Sequence, residues 1–60
     1  MRIHVSPESQ EPFECDLFDF VVENEISPDE LALIVGDLYA VGQHVMGGGA
    51  APYVTLERVP

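Results

Sequence analysis

Basic side chains are nearly absent from this chain of 60 residues, which contains no lysine and only two arginines, Arg2 and Arg58. Eleven Asp and Glu side chains oppose them, so the formal net charge is −9. A chain this acidic repels nucleic acids and anionic membrane surfaces, and it is attracted to basic surfaces on other proteins. The charge therefore argues against direct binding of nucleic acid or membrane and favours a protein partner.

Cysteine is scarce as well, and the single Cys15 cannot form a disulfide within the chain. His4 and His44 are the only histidines, and their spacing matches no structural zinc site. No apolar run approaches the ~20 residues of a membrane span, and the first four residues lack the apolar core of a signal peptide. We expect a reducing, cytoplasmic location and no metal or other cofactor.

Catalytic motifs are missing from the sequence. The run Gly47-Gly48-Gly49 differs from a phosphate-binding loop, because such loops precede a helix and recruit Lys or Arg. Catalysis by paired carboxylates requires acids in a dry pocket, and a chain of this length has little volume to build one. We therefore expect a protein that is not an enzyme.

One segment carries a full set of helix signals. Ser27 can cap the helix, Pro28 suits the first helical position, and Glu30 completes a capping box. At 100° per residue, the following apolar residues form one continuous arc, centred on Leu31, Ile34, Leu38, Val41 and Val45 and including Tyr39 and Met46. This spacing predicts a long amphipathic helix over about 28–46, ended by the three glycines as a flexible hinge.

The ends of the chain resemble strands. Residues 2–6 alternate polar and apolar side chains, and residues 53–59 alternate and are rich in β-forming residues. The N-terminal strand is the obvious partner of the C-terminal one, and their pairing would bring both arginines onto one sheet. Residues 7–12 contain two prolines and no large apolar side chain, so we expect a loop there.

Residues 13–23 are ambiguous between a helix and a strand. Phe13, Leu17, Phe20 and Val21 recur at helical spacing, whereas residues 18–22 could also form a strand. We favour a helix, with Pro12 at its first position and its apolar residues in the core. The predicted fold is α+β: a single small domain, 1–60, in which the long helix and this shorter helix or strand pack on an antiparallel sheet of the two terminal strands.

The acids are concentrated in one part of the chain. Nine of the eleven lie in residues 8–30, with no basic residue between them. Such crowding destabilises a small domain by self-repulsion. A merely solubilising surface is one interpretation. A functional negative field is the other, and it is the one we favour.

Helical geometry selects the candidate partner-binding residues. Asp16, Asp19 and Glu23 would share one ridge of the shorter helix, and Glu30 and Asp37 would share one ridge of the longer helix. Leu33 would lie on the polar face of the longer helix, as an apolar anchor ringed by acids. Glu25 belongs to the same acidic block. The full set is Asp16, Asp19, Glu23, Glu25, Glu30, Leu33 and Asp37.

In size, single-domain organisation, lysine-free acidity and lack of a catalytic motif, the chain resembles the small phage-encoded anti-CRISPR proteins that imitate DNA. The resemblance implies an inhibitor, in the bacterial cytoplasm, that blocks target DNA binding by a CRISPR effector, plausibly a type I complex. Inhibitors of uracil-DNA glycosylase are a second class of DNA mimic, but their Glu-Ser-Ile order is replaced here by Glu25-Ile26-Ser27.

An inhibitor of another DNA-binding enzyme, such as uracil-DNA glycosylase, stays open as an alternative, and so do two functions from other classes. One is a small regulatory module that binds itself or a host protein through exposed apolar positions, without DNA mimicry. The other is an enzyme or metal protein without a recognisable motif. A monomer or a weak homodimer is compatible with the size, because a 60-residue core gives only marginal stability.

Overall fold

The two ends of the chain pair with each other at the centre of one sheet. The computed structural model describes all 60 residues. Four strands and two helices follow each other in the chain as β1 (Arg2–Pro7), β2 (Phe13–Asp16), α1 (Leu17–Glu23), α2 (Pro28–Ala40), β3 (Gln43–Gly48) and β4 (Ala51–Arg58). The sheet is antiparallel throughout, in the order β2-β1-β4-β3. This confirms the predicted α+β class and the predicted pairing of the terminal strands.

Both helices pack on the same face of the sheet. Cross-strand neighbours point to the same face, and Val5 pairs with Leu56, while Ile3 lies two residues earlier on β1. The buried cluster contains only seven residues: Ile3, Val5, Leu17, Phe20, Ile34, Leu38 and Leu56. These residues come from β1, α1, α2 and β4. Because so few side chains form the core, the loss of any one of them removes a large part of the stabilising burial.

The prediction of one helix over 28–46 is wrong beyond Ala40. The start is confirmed, because Ser27 Oγ accepts the Glu30 amide at 3.2 Å and Pro28 is the first helical residue. Gly42 ends the helix, with a φ of 82° and an amide that donates to the Asp37 carbonyl at 3.1 Å. Glycine adopts this left-handed conformation without steric cost.

The residues after Gly42 form β3 instead of two further helical turns. His44 pairs with Leu56, and Met46 pairs with Val54. Backbone pairing with β4 thus outweighs the helical periodicity that places Val45 and Met46 on the apolar arc. Ile34 and Leu38 are buried as predicted, but Tyr39 and Val41 are 64% and 73% exposed.

Residues 13–23 form a strand and then a helix, the two alternatives that the sequence left open. Phe13–Asp16 form the edge strand β2, and the chain then turns directly into α1. Asp16, not Pro12, marks the start of the helix, because its Oδ2 accepts the amide of Phe18 at 2.9 Å. The favoured prediction of a helix over the whole segment is therefore wrong for its first four residues. Pairing of Phe13 and Cys15 with Val5 and Ile3 holds them in the sheet.

The three glycines form a tight β3–β4 hairpin instead of a hinge after a helix. Gly47 has a φ of 91°, and a Cβ there would lie 2.2 Å from the carbonyl oxygen of Pro52. Only glycine permits this approach of the two backbones. Pro52 lies within β4, directly after the hairpin turn.

Truncation of Leu38 tests the assignment of the faces of α2. Leu38→Ala empties a fully buried position and should lower the free energy of unfolding by about 2 to 5 kcal/mol, because the lost contacts leave a cavity. Leu33→Ala is the matched control on the same helix, since Leu33 is 66% exposed. Urea denaturation followed by circular dichroism measures both. Equal losses would contradict the assignment.

Candidate functional site

The negative charge of this protein is largely unneutralised by its own cations. Asp16 Oδ1 accepts a hydrogen bond from the Met1 ammonium at 3.4 Å. Glu14 Oε1 lies 3.8 Å from Arg2 Nη2, and Asp37 Oδ2 lies 2.7 Å from His44 Nδ1. The other eight acids form no ion pair: Glu8, Glu11, Asp19, Glu23, Glu25, Asp29, Glu30 and Glu57. Arg58 contacts none of them, because its guanidinium lies 5.4 Å from the centre of the Tyr39 ring. The surface is therefore suited to an external cationic partner.

The outward face of α1 combines two kinds of side chain. At 100° per residue, Phe18, Val22, Asp19 and Glu23 follow each other around the solvent side of the helix. Phe18 is 66% exposed and Val22 is 76% exposed. An apolar pair at i and i+4 thus lies beside an acidic pair at i and i+4. We call these four residues the α1 face.

Three predicted site residues act on the same thiol. Asp16, Asp19 and Glu23 all raise the pKa of the Cys15 thiol, because their charges disfavour the thiolate. Partial burial is the largest cause of that raised pKa, and nearby Arg2 opposes it. We call these three carboxylates the acidic cluster; they follow α1 from its cap to its last residue, over about 10 Å.

Asp16 differs from Asp19 and Glu23 because its carboxylate forms a hydrogen bond within the fold. The amide of Phe18 donates to it, and this hydrogen bond is the main reason that its pKa lies below the ordinary value of 3.8. The Met1 ammonium adds to the same effect. Asp16 therefore caps α1, while Asp19 and Glu23 leave their carboxylates free for a partner.

The remaining predicted residues lie elsewhere on the helical side. Glu30, Leu33 and Asp37 form a ridge on α2, spanning about 10 Å at 1.5 Å per residue. Leu33 is exposed, but Asp37 is engaged by His44 on β3. Glu25 lies in the connection between the helices, with a φ of 51°. The structure thus gives two separate acidic ridges, one on each helix.

A groove of about 410 Å³ opens beside α1. It lies between the C-terminal part of α1, which contributes Phe20 and Glu23, and the strands of the sheet. Four hydrophobic residues and two prolines line it: Phe13, Phe20, Met46, Val54, Pro7 and Pro52. Its polar rim consists of Ser9, Gln10, Glu23 and Asn24.

Sequence reasoning missed the exposed apolar pair and the groove. Phe18 and Val22 are among the apolar residues that were expected in the core, but the structure exposes both of them. Their signal was local: at 100° per residue they lie outside the arc formed by Leu17, Phe20 and Val21. The groove had no local signal, because its lining comes from α1, all four strands and the β1–β2 connection.

No three His, Cys, Asp or Glu side chains are grouped so as to hold a metal ion. Neither helix has the length and hydropathy needed to cross a membrane. Comparisons with protein-family models, curated proteins and solved structures found no match.

Alkylation of Cys15 tests the acidic cluster. Asp19→Asn combined with Glu23→Gln should lower the pKa of the thiol, because two charges that disfavour the thiolate are removed. The rate of reaction with iodoacetamide, measured on the folded protein from pH 7 to 10, should rise earlier in the variant. Glu11→Gln combined with Glu57→Gln changes the net charge equally and should leave the profile in place. Identical profiles for both variants would contradict the cluster.

Proposed function

We propose that this protein is a non-enzymatic inhibitor that occupies the basic DNA-binding groove of a bacterial defence effector. Its carboxylates take the place of DNA phosphates, and Phe18, Val22 and Leu33 supply apolar contacts between them. The observation that carries the proposal is the set of eight acids without an ion pair in a protein that contains no lysine. Self-repulsion on this scale opposes folding, and a cationic partner relieves it.

The dimensions support mimicry of a DNA strand. The longest extent of the molecule is 27 Å. One strand of duplex DNA carries a phosphate about every 3.4 Å, so roughly eight phosphates span that length. The protein's net charge of −9 is close to the total charge of those phosphates. The protein can therefore present a charge density comparable with that of the ligand it displaces.

The proposed target is a CRISPR effector of the type I class, in the cytoplasm of a bacterial host. This part of the proposal rests on the resemblance to small acidic anti-CRISPR proteins, in size, charge and lack of a catalytic motif. The protein acts as a monomer or weak homodimer. Direct contact with nucleic acid is opposed by the charge.

A second candidate function is a regulatory module that binds a host protein or another copy without displacing DNA. The exposure of Phe18 and Val22 specifically favours it, because two neighbouring apolar side chains on a short helix are typical of a contact surface. The two functions differ in the effect of salt, since apolar contacts are not screened.

Competition with DNA tests the proposed function. Purified type I effector is incubated with its target duplex and increasing amounts of the protein, and the bound duplex is measured by electrophoretic mobility. We expect complete displacement that requires more protein at higher salt, because the attraction is between exposed charges. Asp19→Lys combined with Glu23→Lys should raise the half-inhibitory concentration at least tenfold.

The matched control reverses two acids on the opposite face of the sheet. Glu14 and Glu57 both pair with His4, which places them away from the helices. Glu14→Lys combined with Glu57→Lys makes the same change in net charge and should weaken inhibition much less. Asp16 is left intact in both variants because it caps α1. Intact DNA binding at saturating protein, or equal effects of the two variants, would exclude the proposed mimicry.

A further inference from the structure

The groove beside α1 has an apolar floor that continues the hydrophobic face of the sheet. Val54 pairs with Pro7 on one side and with Met46 on the other, so the three form a row across β1, β4 and β3. This row follows the buried pair Val5 and Leu56 and faces the same way. The floor is thus core-type surface that no helix covers.

The rim of the groove supplies polar and negative groups. Glu23 forms no ion pair, and it belongs both to this rim and to the α1 face. On the helical wheel Glu23 lies between Asp19 and the groove-lining Phe20. A chain segment that entered the groove would therefore pass beside the carboxylate of Glu23, and Asp19 lies one helical turn earlier on the same side of α1.

Charge decides which occupant fits. Nucleic acid and acidic peptides are repelled by a net charge of −9, and two copies of this chain repel each other for the same reason. An apolar side chain would bury the apolar floor of the groove, while Lys or Arg beside it would form ion pairs with Glu23 and Asp19. A basic segment with one central apolar residue matches both parts of the surface.

We propose that the groove is a docking site for an apolar side chain carried on a Lys- and Arg-rich segment of a partner protein. Phe20, Met46 and Val54 contact the apolar side chain, and Glu23 and Asp19 pair with its basic neighbours. This docking site goes beyond the proposed function, because it requires a basic partner but neither a CRISPR effector nor displacement of DNA. Defined peptides can therefore test it without the effector.

Two peptides of equal charge distinguish binding through the apolar side chain from electrostatic attraction alone. The probes are acetylated and amidated Arg-Lys-Leu-Arg-Arg and Arg-Lys-Ser-Arg-Arg, titrated into the ¹⁵N-labelled protein. We expect the Leu peptide to bind about tenfold more tightly, because its side chain is removed from water. The amides of Phe20, Met46 and Val54 should shift with that peptide alone. The preference should persist in 0.5 M NaCl, where both affinities fall.

Two variants remove the groove in different ways. Met46→Gln makes the floor polar, and Gln10→Trp covers the opening from an exposed rim position without altering the core. Both should reduce the tenfold preference to near unity. Val45→Thr, on the opposite face of the sheet, where Val45 pairs with Thr55 and is 50% exposed, is the control and should preserve it.

Equal affinities of the two peptides for the unaltered protein would overturn the proposal. So would a tenfold preference that survives Gln10→Trp, because the apolar contact would then lie outside the groove. Shifts of the same three amides on raising the protein concentration, without peptide, would assign the groove to a second copy instead. The DNA competition can succeed or fail independently of each of these results.

Discussion

Pairing of β1 with β4 is the contact on which the rest of this structure depends. It joins residues 47 to 55 positions apart, places Ile3, Val5 and Leu56 on one face, and gives the two hairpins a common sheet. Without that face, α1 and α2 would have nothing on which to bury Phe20, Ile34 and Leu38. Since the connection is non-local, its loop-closure entropy must be overcome before the small core forms.

A second constraint is electrostatic and acts against folding. Eight unpaired acids accompany a core of only seven residues. The few cations do not neutralise them, because Arg2 and the Met1 ammonium pair with Glu14 and Asp16 and Arg58 lies against Tyr39. The fold tolerates this because all of the acids lie at or near the surface, where water screens their repulsion. A basic partner would turn the same repulsion into attraction, which links the marginal stability of the domain to its proposed inhibitory role.

Local sequence signals predicted much of the fold but not its long-range features. The cap at Ser27, the buried Ile34 and Leu38, and the pairing of the terminal strands follow from spacing and residue type. The end of α2 could not be placed, because the apolar pattern continues past Gly42 to Val45 and Met46, and pairing with β4 decides the conformation of residues 43–48. For the site, the exposed Leu33 was predictable, whereas the engagement of Asp16 by the Met1 ammonium and of Asp37 by His44 was not. The groove required knowledge of how α1 packs against the strands.

The central claim is that the α1 face, and not the open face of the sheet, meets the partner. Hydroxyl-radical footprinting tests it most directly, because each face carries an exposed aromatic ring: Phe18 on α1 is 66% exposed and Tyr53 on β4 is 55% exposed. In a saturated complex with purified type I effector, the oxidation rate of Phe18 should fall severalfold, while that of Tyr53 should stay unchanged. Protection of Tyr53 with unaltered oxidation of Phe18 would contradict the account.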